Sequence, residues 1–399
     1  MKSFKYMGSI ILKIIFGGFV SLLIFEASMA LVAQTALGKV LPVVEPQIGR
    51  PDSDTGYAFV PEAKALWTRE NRASIEINQD GLIDRPIRHD NPPQFRIALS
   101  GDSVAEAMQV EQERRFDNLA EEQLFRSGYD AEILNFAMAG SGPLRQLVRL
   151  EKKAASLSPD ISIMLMAASD FQSGELRDDS QNPGYKLDVQ GNVVRSYSFR
   201  DRFSQRYAET TLGEVFLFLV RYSTTFRMIY YKRHESIEEI LTALKDKPLA
   251  IEGKTSEDQC KSDTLSSLEN FWLSHQPKED WEIARQFLKE VHEYALGKPV
   301  VIGLYIPITP DACILEVERR KRIILSIKGV MAPEGIIFID WNDRLRQALQ
   351  RDSQDVNLDY LHGFGLQFGQ GHLNYRGHHY FSIVLGDIVS QIIDGNLQN

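Results

Sequence analysis

The sequence predicts a three-layer α/β domain built on a parallel sheet. Short, continuously apolar runs recur along the chain, and amphipathic helical stretches separate them. Strands buried on both faces have no polar side to show, so they read as unbroken Val, Ile, Leu and Met. A third observation adds a segment outside that domain, an apolar amino-terminal stretch of a length that spans a bilayer.

The first run, residues 95–100 (FRIALS), leads through Gly101, Asp102 and Ser103 into helical spacing of Phe116, Leu119, Leu124 and Phe125. Residues 132–136 (EILNF) form a second strand that ends towards Gly140 and Gly142, and 144–157 follow as a helix. Residues 161–166 (ISIMLM) are the third strand, 299–305 (PVVIGLY) the fourth and 335–340 (GIIFID) the fifth. A helix with Ala284, Phe287, Leu288, Val291 and Tyr294 on one face precedes the fourth. Before the fifth, Thr309 and Pro310 suit the cap and first turn of a helix bearing Ile314, Val317, Ile323 and Ile324. Residues 380–393 make the last amphipathic helix.

Residues 1–36 are expected to be a transmembrane signal-anchor. Lys2, Lys5 and Lys13 precede an apolar run from 14 to 33 that only Glu26 interrupts. Both charges lie near an end, where their side chains reach the interface. The lysine bias puts the start inside and the rest outside, so the expected location is a single-pass inner (cytoplasmic) membrane protein with its main domain periplasmic or extracellular. A cleaved signal peptide, using the small residues 27–30, and a core helix are the other readings of this run. Residues 37–93 are polar, punctuated by proline, and read as a connector with short strands. The domain proper is 94–399, with an insertion at about 178–278. Within the insertion, residues 185–195 read as a hairpin turning at Gly191, and about 212–231 as a helix. Its apolar run 215–220 is too short to span and reads as core.

The chain has 399 residues, 43% of them hydrophobic, enough for one large core with additions. Its net charge of −9 argues against a nucleic-acid partner, which requires a positive footprint. Two cysteines, Cys260 and Cys313, exclude a cysteine-built zinc site; they read as separate thiols, with one disulfide as the alternative.

Ligands of parallel α/β sheets gather at the carboxyl ends of the strands, where loops and helix amino termini converge. Ser103, Gly140 and Ser169 each follow a different strand there. Ser103 stands at a strand-to-helix turn, where a hydroxyl can project and backbone amides can support an oxyanion. A serine nucleophile needs a base within hydrogen-bond reach. Of eight histidines, His372 is the candidate, because it stands in a loop just before the last helix. His378 and His379 read as first-turn residues with packing or polar roles, and His362 as an alternative base.

On these residues the chain resembles the SGNH, or GDSL, hydrolases. Gly101, Asp102 and Ser103 match the first family block, residues 135–142 (NFAMAGSG) look like the second, and the segment around His372 resembles the last. The likeness extends from about Gly81 to the carboxyl terminus apart from the insertion, and is nearest to membrane-anchored members found with surface-polysaccharide genes. It implies a flavodoxin-like α/β/α sandwich, Ser103 as nucleophile, His372 as base, and the Ser103 and Gly140 amides as oxyanion donors. It further implies ester hydrolysis or acyl transfer with no metal and no cofactor.

Two positions depart from the family pattern. Where the third block has an oxyanion asparagine, this chain has Ser169, and where the last block has an aspartate before the histidine, it has Gly369 and Gln370. A backbone carbonyl, Gln370, or a carboxylate from another loop such as Asp359 then remains to orient His372. The expected activity is an esterase or deacylase on an acylated carbohydrate or small ester. Two alternatives stay open, an O-acetyltransferase on exopolysaccharide and a catalytically degenerate polysaccharide-binding or assembly protein.

Overall fold

The computed structural model describes residues 2–33, 48–67, 70–171, 176–178, 182–201, 210–226, 269–270, 278–295, 297–306, 314–331, 335–365, 368–369 and 371–397. Five parallel strands form the central sheet: β5 (Phe95–Gly101), β6 (Ala131–Asn135), β7 (Ile161–Ala167), β10 (Val300–Tyr305) and β11 (Ile336–Asp340). Their spatial order is β11-β10-β7-β5-β6. Counting only these five in chain order, the order is 2-1-3-4-5, the flavodoxin-like arrangement. The chain reverses its direction of travel across the sheet between β5 and β7, which pair from Ile97 with Ile161 to Gly101 with Leu165. That switch point leaves a crevice at the carboxyl ends, where Ser103 and Ser169 follow.

The strands sort their side chains by alternation. Ala98, Met164, Met166, Val300, Ile302 and Leu304 face one core, shared with Leu144, Leu147 and Val148 of α4 (Pro143–Arg149). The same core takes Ile283, Phe287 and Val291 of α6 (Lys278–Ala295) and Ile323, Ile324 and Ile327 of α7 (Ile314–Met331). Ile97, Leu99, Ile161, Ile163, Leu165 and Val301 face the other core. There they meet α3 (Phe116–Arg126), α8 (Trp341–Arg351) and α9 (Tyr375–Ile393) through Phe116, Trp341 and Phe381. Helices thus cover both faces, as the continuous apolar strands require. The last helix begins five residues earlier than its apolar pattern, because Asn374 caps it by accepting the Gly377 amide at 3.0 Å.

Ahead of the sheet, β1 (Gly49–Asp52) pairs with β2 (Gly56–Phe59) and β3 (Lys64–Trp67) with β4 (Ala73–Glu76), both antiparallel. These hairpins bury Phe59, Ala63, Ile75, Ile77 and Ile83 against Met108 and Met138, residues of the loops that follow α2 (Ser103–Glu106) and β6. The amino-terminal strands therefore pack beside the loops at the carboxyl ends of β5 and β6.

In the insertion, β8 (Gly184–Leu187) and β9 (Val193–Ser196) form the expected hairpin. Arg195 ties it to the sandwich, with two bonds to Glu151 at 2.6 and 2.7 Å and one to Glu290 at 2.8 Å. The helix α5 (Thr211–Tyr222) departs from the core reading of its apolar run: Val215, Phe218 and Leu219 are exposed. Residues 2–33 form a helix, α1 (Lys2–Ala33), whose Glu26 accepts the Thr225 amide at 3.2 Å just past α5. The side chains of residues 2–12, 14 and 15 lie outside the described part, and among the described residues no helix is long and apolar enough to cross a membrane. The cap at Thr309, both cysteines and Gln370 also lie outside the described residues.

Candidate active site

Ser103 opens α2, a single helical turn directly after β5. Asp102 is the cap: its carboxylate accepts the Val104 amide at 2.9 Å, satisfying a donor at the helix start. Burial raises the Asp102 carboxyl above its usual range, against the pull of that amide and of the His372 charge. Ser103 itself is half-buried. Among the described residues no hydrogen bond joins its hydroxyl to His372, and no partner holds its backbone amide.

The second block is pinned from several sides. Phe136 N–H donates to Leu99 O at 2.7 Å and Met138 N–H to Gly101 O at 3.1 Å. Asn135, fully buried, accepts the Ala137 amide at 2.9 Å and donates to Ala105 O and to Asp117, each at 2.8 Å. Its side chain is thereby spent on joining β6, α2 and α3. Gly140 holds φ +66°, a left-handed conformation that a glycine adopts without cost. Among the described residues its amide has no acceptor. Ser169 lies two residues past β7, half-buried, while its neighbour Asp170 accepts the Ala167 amide at 3.1 Å.

His372 is held by a residue that the sequence did not single out. Its Nδ1 lies 2.7 Å from Glu70 Oε1, and its backbone N–H donates to Glu70 Oε2 at 3.1 Å. Since a carboxylate only accepts, the proton sits on Nδ1, and in the neutral ring the lone pair is on Nε2, which has no hydrogen-bond partner among the described residues. Burial lowers the basicity of His372, but the bond to Glu70 and the charges of Glu70, Asp102 and Glu106 outweigh it, so the net shift is upward.

Glu70 sits at the tip of the β3–β4 hairpin, 302 positions from its partner. The next residue fastens that tip: Asn71 Nδ2 donates to Gln109 O at 2.9 Å and to Tyr375 Oη at 3.0 Å. Tyr375 in turn donates to Glu111 at 3.0 Å. Close approach is possible because Gly371 precedes the histidine; a Cβ there would stand 3.2 Å from both Glu70 oxygens.

His362 takes a structural role. Its Nδ1 donates to Gly371 O at 2.9 Å and Tyr305 Oη bonds its Nε2, which fixes the neutral tautomer. Desolvation drives its pKa down to about 4. The bond to Gly371 O, together with Gly363 N–H to His372 O at 2.8 Å, holds the His372 loop against residues 361–363. Asp359 sits in a short 3₁₀ turn, where its carbonyl accepts the His362 amide at 3.1 Å. Glu70, rather than Asp359, occupies His372 Nδ1. His378 is fully buried on the far side of the loop, stacked on Phe116 at 5.9 Å, in keeping with a packing residue. Among the described residues no group of His, Cys, Asp and Glu is arranged to hold a metal ion.

No family model matches the sequence, and no curated protein is significantly similar to it. Solved structures share its general outline at low identity. A lipase/acylhydrolase from Enterococcus faecalis is 11% identical, covering 75% of this chain and 97% of its own, with a TM-score of 0.35. A lipase from a goat rumen metagenome is 11% identical over 73% of this chain and 96% of its own, at 0.33. A psychrotrophic esterase from Pseudoalteromonas is 10% identical over 75% and 98%, at 0.30. At such scores the likeness is one of outline, and the chemistry is read from the residues.

Proposed function

We propose that this chain is a serine ester hydrolase in which Ser103 is the nucleophile, His372 the general base and Glu70 the positioning acid. The observation that supports it most is the half-buried Glu70–His372 pair, with Nδ1 occupied, Nε2 without a hydrogen-bond partner among the described residues, and a charge felt by Asp102 next to Ser103. In this reading Ser103 Oγ attacks the ester carbonyl while His372 Nε2 takes its proton. The tetrahedral oxyanion is received by the Ser103 and Gly140 amides, neither of which has an acceptor among the described residues. His372 then protonates the leaving alkoxide, and a water repeats the sequence to release the acid. The Ser103–His372 hydrogen bond, not formed here, closes when substrate is bound.

The substrate class we infer is an acyl ester on a surface or exported carbohydrate. Support comes from the sequence resemblance and from the lysine-flanked apolar run at residues 14–33, which as a membrane anchor would hold the crevice outside the cytoplasm.

The test uses the full chain in detergent. A fluorophosphonate probe is expected to label it and an aryl acetate to be hydrolysed, both lost in Ser103→Ala. Equal turnover by Ser103→Ala would remove the enzyme reading. Release of acetate from an acetylated polysaccharide, compared with a deacetylated control, tests the substrate class. Retention in the membrane pellet after alkaline carbonate tests the anchor.

A further inference from the structure

Glu106 is a second carboxylate of the site, one that no step of that mechanism uses. It lies three residues after Ser103, on the same side of the single turn of α2, and is 2% exposed. Its Oε1 accepts the Ala139 amide at 3.0 Å. Around residues 136–141 every other amide is engaged: Phe136 with Leu99 O, Ala137 with Asn135, Met138 with Gly101 O, Ala139 with Glu106 and Ser141 with Met138 O at 3.2 Å. The Gly140 amide alone has no acceptor among the described residues. The carbonyl side is braced too, by Arg149 Nε to Phe136 O at 2.8 Å and Arg145 Nη1 to Gly140 O at 3.5 Å.

We propose that Glu106 is the positioning residue of the oxyanion hole: by accepting the Ala139 amide it sets the turn that presents the adjacent Gly140 N–H beside Ser103. The proposal rests on the reading of Ser103 as nucleophile. A carboxylate is the stronger acceptor when ionised. Burial pushes Glu106 up to about 7, against the pull of the Ala139 amide and of Arg115, Arg149 and Arg145. His372, Arg115 and Arg149 each feel its charge in turn.

Two substitutions separate positioning from packing. Glu106→Met keeps the bulk and removes the acceptor, whereas Glu106→Gln keeps a carbonyl acceptor in the same place. Losing one oxyanion donor costs about a hundred- to a thousand-fold in kcat. Glu106→Met is therefore expected to lose about a hundredfold in kcat on an aryl acetate, with KM within about threefold, and Glu106→Gln to recover at least about tenfold of that loss. A folded Glu106→Met with kcat within about twofold of the parent chain overturns the proposal, as does a Glu106→Gln that is no better than Met. Should Glu106→Met fail to fold by circular dichroism, Glu106→Asp serves instead. It keeps the charge facing the three arginines and shortens the reach by one methylene, so the same kcat loss is expected and unchanged kcat overturns. Ser103→Ala is run alongside: activity surviving there sinks the nucleophile reading itself, whereas a dead Ser103→Ala beside an unaffected Glu106→Met sinks only the present inference.

Discussion

His372 is pulled in two directions, and the balance decides how the base behaves. Desolvation favours its neutral form, while the Glu70 carboxylate at 2.7 Å favours the imidazolium that forms during catalysis. A general base works in its neutral form, so kcat/KM is expected to rise with pH through the His372 pKa and level off above it. Glu70→Gln removes the nearest raising charge and leaves only the more distant Asp102 and Glu106 to oppose desolvation. The rising limb should then move to lower pH, and the plateau should fall by up to about ten-thousand-fold, because the one carbonyl of the new amide is claimed by the His372 N–H and its NH2 group faces Nδ1, which favours the wrong tautomer. A pH–rate profile of both chains checks this. An unmoved limb with an unchanged plateau would mean that another group orients the imidazole.

At the scale of elements, the site depends on one hairpin tip meeting one loop, and Gly371 is where they touch. It holds φ +78°, and a Cβ there would lie 3.2 Å from both oxygens of Glu70. Gly371→Ala therefore meets two costs, a left-handed alanine at about 1–2 kcal/mol and a displaced carboxylate. Gly369 supplies the comparison, since it holds φ +85° but the nearest atoms a Cβ there would meet among the described residues, those of Asp359, lie 4.0 Å away. Both alanine variants should lose similar stability by thermal melting, and only Gly371→Ala should lose most of its kcat. Equal kcat losses would assign the effect to loop strain alone.

This contact also marks the limit of what the sequence reveals. The five strands and the helices between them follow from local apolar periodicity, as do Ser103 at a strand end and His372 before the last helix. Glu70 does not: the 302 positions between it and His372 carry no period, and its hairpin has strands of only four residues. A signal existed in Gly371, because a glycine directly before the candidate base, where the acid is missing, points to a partner coming close. The exposed face of α5 was illegible for another reason, since apolar content gives burial only when the neighbouring element is known.

Over the whole molecule, α9 closes one face of the sandwich and carries a cost into its core. His378 lies in its first turn, 0% exposed, with neither ring nitrogen partnered among the described residues. Burial first, then the charges of Arg115, His372 and His362, depress its pKa from 6.5 to about 3. Above pH 6.5 both folded and unfolded chains hold this ring neutral, so it adds no pH dependence. As pH falls below 6.5 the unfolded chain takes up a proton that the folded chain refuses, and stability declines by about 1.4 kcal/mol per unit until the folded pKa is reached. His362, at about 4, acts in the same direction. Replacing an unpartnered buried polar ring by an apolar one of similar shape removes the desolvation penalty. In His378→Phe the new ring would keep the stack on Phe116 and the edge contact between Phe116 and Phe381. Its melting temperature should match or exceed the parent's at pH 8, and the gap should widen steadily towards pH 4.5, where the removed cost reaches about 3 kcal/mol. His362 is present in both chains and cancels from the difference. Melting curves that stay parallel across that range would show that His378 does not titrate with unfolding, and that some unseen partner satisfies its ring.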